Sequence, residues 1–172
     1  MKHACASRFH RVSKPVLNRQ VDHDWIASHI PHQGTMCLLD SVTDWNEEQI
    51  RCIASSHLAA DNPLRAHGRL GIACGIEYAA QAMAVHGALL APPGSERPRA
   101  GYLVSVRGVK LNASRLDDID AALDITAVSI MRNDNNILYQ FTLSADGKVL
   151  LEGRATVVMN ADALVLTTGK NP

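Results

Sequence analysis

The stretch GIACGIEYAAQAMAVHG, residues 71–87, constrains the fold of this chain more than any other. It reads as a helix running to about residue 90, and nearly every position on it is small or apolar. A helix that is apolar all round has no solvent face and must be buried on every side. Into it the sequence sets one carboxylate, Glu77, with Gln81 four residues later. An isolated carboxylate among apolar neighbours is costly to ionise, so its pKa is expected to rise. A raised pKa makes Glu77 a usable general acid near neutral pH. Gln81, at i+4 on the same face, is placed to hold the carboxylate by a hydrogen bond. The bland alternative is a Glu77 on a solvent stripe or paired with an Arg. The neighbours Ile76, Ala79 and Ala80 argue against full exposure.

The rest of the chain must supply what buries that helix. Residues 21–30 (VDHDWIASHI) read as a short helix, capped by Asp22 or Asp24 and ended by Pro31. Residues 35–44 and 49–56 read as two strands joined by the turn WNEE. Residues 57–70 are irregular and rich in Pro, Gly and Asn. After the helix, APPGSERP is a loop. Four long strands follow, over residues 99–111, 119–132, 136–144 and 148–159, and Asp146-Gly147 is a strong hairpin signal between the last two. Consecutive strands with short turns make an antiparallel sheet. The simplest architecture is α+β: one curved antiparallel sheet wrapped round one long central helix. A second copy of the chain would then cover the sheet edge and the far side of the helix. Residues 1–20 and 161–172 read as tails flanking one domain over residues 21–160.

Composition narrows the function classes. Lys plus Arg and Asp plus Glu both number 17, a neutral balance without the basic footprint of a nucleic-acid binder. No apolar run is long enough to span a bilayer, and the N-terminal MKHACASRFHRVSKP lacks the apolar core of a secretory signal. The four cysteines, Cys5, Cys37, Cys52 and Cys74, form no C-x-x-C, so neither a zinc site nor a disulfide framework is indicated. A cytoplasmic location is the corresponding expectation.

In order and spacing, the motifs resemble the hotdog-fold 3-hydroxyacyl-ACP dehydratases of fatty-acid and polyketide synthesis. IPHQGTMCLLDSVTDW resembles that family's opening, GIEYAAQAMAVHG its central helix, GYLVSVRGVKL the strand after it, and DGKVLLEGRATVVM its closing hairpin. The resemblance covers roughly residues 21–160 and looks closest to a divergent branch, the dehydratase-like proteins of aryl-polyene-type pigment pathways. It implies a dimer with acyl tunnels along the interface. It also implies loss of water from a 3-hydroxyacyl chain on a phosphopantetheine arm, with no other cofactor. In such enzymes a His before the helix takes the Cα proton, and a helix carboxylate from the other subunit handles the hydroxyl leaving as water. Backbone N–H groups at the helix start polarise the thioester carbonyl.

This places Glu77 as the acid. The family's His falls fourteen residues before the carboxylate, and that position here is Pro63. The candidate bases in the preceding loop are His57, directly after a strand, and His67. His32, in the IPH motif, is expected to hold a loop. Gly71 and Gly75 would let the thioester approach the helix start, although close packing against the sheet explains them equally. Gln81 and Cys74 join them as substrate-side positions, Cys74 as a small hydrophobe. Arg65, Arg69, Arg97, Arg99, Arg107 and Lys110 flank the helix in sequence and are candidates for docking an acidic acyl carrier protein, with Arg65, Arg69 and Arg99 foremost. The missing His calls either for a base from another loop position or for a partner: a paralogous hotdog subunit in a heterodimer, as against a homodimer. The alternatives are an acyl thioesterase of the same fold and a non-catalytic acyl-binding or stabilising subunit.

Overall fold

The computed structural model describes residues 20–92 and 101–159. A two-residue strand, β1 (Val21–Asp22), leads into helix α1 (His23–His29). Asp22 is its cap: the carboxylate accepts from the Trp25 N–H at 2.9 Å, satisfying one of the donors that a helix start leaves free. Strands β2 (Ser41–Trp45) and β3 (Gln49–Ala54) follow as a hairpin. The first of the two begins later than residue 35, because residues 34–36 curl into a single 3-10 turn. The central helix α2 runs Gly75–Leu89, and residues 72–74 form a 3-10 turn ahead of it. Strands β4 (Tyr102–Leu111), β5 (Leu123–Arg132), β6 (Asn136–Ala145) and β7 (Lys148–Val158) complete the chain.

The seven strands form one antiparallel sheet in the order β1-β2-β3-β5-β6-β7-β4. Asp146 and Gly147 turn β6 into β7 with φ of 48° and 72°. That pair of positive angles matches the right-handed strand twist, which is why Asp-Gly is favoured there. Alternation sets the faces: Ile137, Tyr139, Phe141 and Leu143 of β6 are all buried, with Leu138, Gln140 and Thr142 between them on the other face. Helix α2 lies on the buried face against β3, β5 and β6. Gly75 packs closely on that face. A Cβ there would sit 2.7 Å from Leu143 Cδ2, so glycine lets the first turn press on the sheet without displacing that side chain. Strand β4 is the exposed edge, and its Tyr102, Leu103 and Val104 are each at least 41% accessible.

Candidate active site

Glu77 stands in the first turn of α2, and the side chain that meets it is His32. The two are 3.1 Å apart, Nε2 to Oε1, each about a quarter to a third exposed. Chain direction explains the meeting. Pro31 ends α1, and the following segment, residues 32–38, runs back across the start of α2. Gln81 fastens that segment to the helix. Its amide oxygen accepts from the Leu38 N–H at 2.9 Å. Its Nε2 donates to the Met36 carbonyl at 2.8 Å and to Glu77 Oε1 at 3.1 Å. One fully buried amide therefore positions both the carboxylate and the loop that carries its histidine.

This geometry reverses the expected charge state. The His32 hydrogen bond holds the Glu77 carboxyl below its ordinary value, outweighing burial, which pushes it up, and the Gln81 amide adds to the lowering. Glu77 is thus a carboxylate at neutral pH, and the isolated buried acid expected from the sequence is not what forms. His32, expected to hold a loop, instead faces the carboxylate, and its Nδ1 is buried without a hydrogen-bond partner.

The pair lies on the wall of an apolar cavity of about 470 Å³. From Glu77 the wall continues along one stripe of α2, through Ala80, Met83, Ala84, Gly87 and Ala88. These positions recur at helical spacing, and all of them but Met83 carry little side chain, so the stripe is a groove. Ile137, Tyr139 and Val157 close it from the sheet, and Tyr102 and Leu103 of the edge strand lie at its rim. A pocket of this size and character suits a slender apolar chain.

The other positions singled out in the sequence fall elsewhere. His57 is fully buried, and its Nε2 lies 2.9 Å from the Ile119 carbonyl. A carbonyl only accepts, so that nitrogen carries the proton, and burial lowers the His57 pKa. It ties a loop to the core. His67 occupies a tight turn with φ of 52° and is exposed. Neither lines the cavity beside Glu77. Gly75 serves packing, as shown above. Three donors at the helix start have partners: the Ile72 N–H bonds the Ser114 carbonyl, the Cys74 N–H bonds that of Gly71, and the Gly75 N–H bonds back to residues 72 and 73. None of Gly71, Gly75 and Cys74 lines the cavity beside Glu77. The half-buried Cys74 thiol faces the Leu64 carbonyl. Arg65 is a brace, donating to Asp117 and to the carbonyls of Ala59 and His57. Arg69 is exposed, whereas Arg97 and Arg99 lie outside the described residues. Lys110 is paired with Glu152 at 2.7 Å. Sequence reasoning passed over His32 because nothing in its spacing from Glu77, forty-five residues on, signals contact. The available signal was the resemblance of its IPH motif.

Among the described residues no helix is long and apolar enough to cross a membrane. Solved structures of the same fold include a chain of the dehydratase heterocomplex ApeI:P from Xenorhabdus doucetiae. It is 22% identical, with a TM-score of 0.72, over 84% of this chain and 97% of that one. A thioesterase from Haemophilus influenzae matches at 13% identity and a TM-score of 0.52, over 77% of this chain and 80% of its own. The E. coli PaaI protein of the phenylacetic acid degradation operon matches at 12% and 0.52, over 68% and 80%. At such identities the likeness establishes the hotdog fold. No functionally curated sequence matches the chain significantly. Residues 25–167, which include strands β2 to β7, the central helix and the cavity lining, match the family model described as ApeP dehydratase, and the chain belongs to the ApeP-like dehydratase family.

Proposed function

We propose that this chain eliminates water from 3-hydroxyacyl thioesters held on an acyl carrier protein in aryl-polyene-type biosynthesis, and that Glu77 and His32 are the proton-exchanging pair. The observation that carries the reading is the 3.1 Å contact between them on the wall of the acyl-sized cavity. Elimination takes one proton from Cα and gives one to the hydroxyl leaving Cβ, so an enoyl thioester and water form with no net proton change. A carboxylate can accept the one proton, and a histidine beside it, when it carries protons on both ring nitrogens, can give the other. Glu77, ionised, accepts the Cα proton as the C=C bond forms. His32 gives its Nε2 proton to the hydroxyl as the C–O bond breaks. The proton then passes from Glu77 to His32 across their hydrogen bond, which restores the pair. Gln81 keeps the two groups in register.

The active form we propose is a heterodimer with a paralogous hotdog subunit, which would cover the exposed edge of β4 and the rim of the cavity. In support, a chain of similar fold belongs to the dehydratase heterocomplex ApeI:P. The test is turnover of 3-hydroxyacyl carrier protein by the chain alone and co-expressed with such a partner, read as enoyl product by mass spectrometry. Dehydration by the complex, lost in Glu77→Gln and in His32→Ala, is the expected result. Release of free thiol without enoyl product would instead make the protein a thioesterase. Unchanged turnover in both variants would move the chemistry to the partner.

A further inference from the structure

Leu38, the residue that Gln81 holds by its N–H, is also held by its carbonyl. That oxygen accepts from the Ser56 hydroxyl at 2.7 Å. The bond uses the one proton Ser56 has, so Ser56 Oγ accepts from the Tyr78 hydroxyl, 3.0 Å away. The Tyr78 oxygen accepts in turn from Asn62 Nδ2 at 3.0 Å, and the same amide donates to the Ser56 carbonyl at 2.9 Å. Asn62 is fixed at its other end, where Oδ1 accepts from the Leu64 N–H at 3.0 Å. The donors therefore run one way, from Asn62 to Tyr78, from Tyr78 to Ser56, and from Ser56 to Leu38.

This chain of bonds is shielded from water. Tyr78 and Leu38 are wholly buried, and Asn62 is 5% exposed. Burial pushes the Tyr78 pKa up, so the hydroxyl keeps the proton it donates. In such surroundings a fully satisfied network is stiff, and an unpaired member is costly. Tyr78 does not line the cavity, so its polar contacts are with the framework of the site. It follows Glu77 directly and stands three residues before Gln81, on the same face of α2. The helix thus holds both polar groups of Leu38, one through Gln81 and one through Tyr78 and Ser56. The segment that ends at Leu38 is the one that carries His32. Asn62 precedes Pro63, the position where the resemblance places a base. The loop that lacks the base is tied instead to the segment that brings His32.

We propose that Tyr78, acting through Ser56, is a positioning residue that fixes the Leu38 end of this segment and so keeps His32 within hydrogen-bond reach of Glu77. The proposal rests on the reading of Glu77 and His32 as the proton-exchanging pair, so its first readout needs no turnover. His32 and Gln81 are the side chains that hydrogen-bond Glu77 among the described residues. The Glu77 titration is followed by carbon NMR of its carboxyl in the full chain, as wild type, Tyr78→Phe, His32→Ala and the double variant. In Tyr78→Phe the Glu77 pKa rises part of the way to its value in His32→Ala. In the double variant the tyrosine change adds nothing, because it acts through His32. Ser56→Ala reproduces the rise, whereas Ser56→Thr keeps the hydroxyl and leaves the titration as in wild type. If Tyr78→Phe does not fold, the contrast between the two Ser56 variants decides by the same criterion. In the complex with the hotdog partner, Tyr78→Phe lowers kcat about two- to tenfold, the worth of one neutral hydrogen bond, with KM unchanged. A Glu77 titration that does not move in Tyr78→Phe, or one that still moves when His32 is alanine, overturns the proposal. A titration that moves as expected while turnover stays at the wild-type level upholds the positioning role and overturns the assignment of the pair to the chemistry.

Discussion

Replacing Gln81 by leucine tests the physical account of the site most directly. Gln81 is wholly buried and makes three hydrogen bonds, to the Leu38 N–H, the Met36 carbonyl and the Glu77 carboxylate. Leucine is close in size and restores apolar packing, so the loss is mainly polar. The Leu38 N–H, in a fully buried residue, becomes an orphaned donor at about 2 kcal/mol, and the half-buried Met36 carbonyl adds about 1 kcal/mol. The sum of about 3 kcal/mol is a large share of the stability of an ordinary domain. For a chain of this length it lowers Tm by roughly 6–12 °C, measured by circular dichroism or calorimetry. The loop bearing His32 loses its tie to α2 in the same step, so kcat for the complex should fall even below the new Tm. A Tm within about 2 °C of wild type would refute the reasoning, because an orphaned buried N–H and a half-buried carbonyl cannot together cost so little.

Three further outcomes follow from the same geometry. Glu77 has a lowered pKa in the folded chain, so it contributes stability at neutral pH, fully present above its ordinary value and lost as pH falls through the lowered one. His32→Ala removes the largest cause, and the stability difference from wild type should shrink toward zero in acid, as urea unfolding across pH will read. Gly87→Ala adds a methyl to open space in a helix and should raise stability by about 1 kcal/mol, whereas Gly87→Leu fills the groove and should shift turnover to shorter acyl chains. Gly75→Val drives a branched side chain into Leu143 and should destabilise by roughly 2–3 kcal/mol in chemical denaturation.

The cavity explains why a chain so poor in aromatics suits this work. The α2 stripe through Ala80, Ala84, Gly87 and Ala88 leaves room that larger side chains would occupy. The same small residues make α2 apolar on every side, which is why the sheet must wrap it.

Periodicity and turn chemistry, both local, were enough to order the elements. Alternation in residues 136–144, the Asp146-Gly147 turn and the uninterrupted apolar helix each commit their own segment to one structure, because side-chain period and backbone angles are set within a few residues. They also marked Glu77 as the anomaly and Gln81 as its neighbour at i+4. What they could not determine was which distant residue meets Glu77. His57 and His67 are nearer in sequence, yet His57 is drawn inward to the Ile119 carbonyl and His67 turns outward. The segment holding His32 arrives instead, forty-five residues upstream, because Gln81 pins its backbone at Met36 and Leu38. That contact in turn sets the charge of Glu77: burial alone would raise its pKa, and a hydrogen-bonded histidine lowers it. The sequence by itself determined the helix, the sheet and the presence of a carboxylate between them. Only the tertiary structure decided its partner and its protonation, since both depend on the few ångströms around one side chain, brought together by long-range packing.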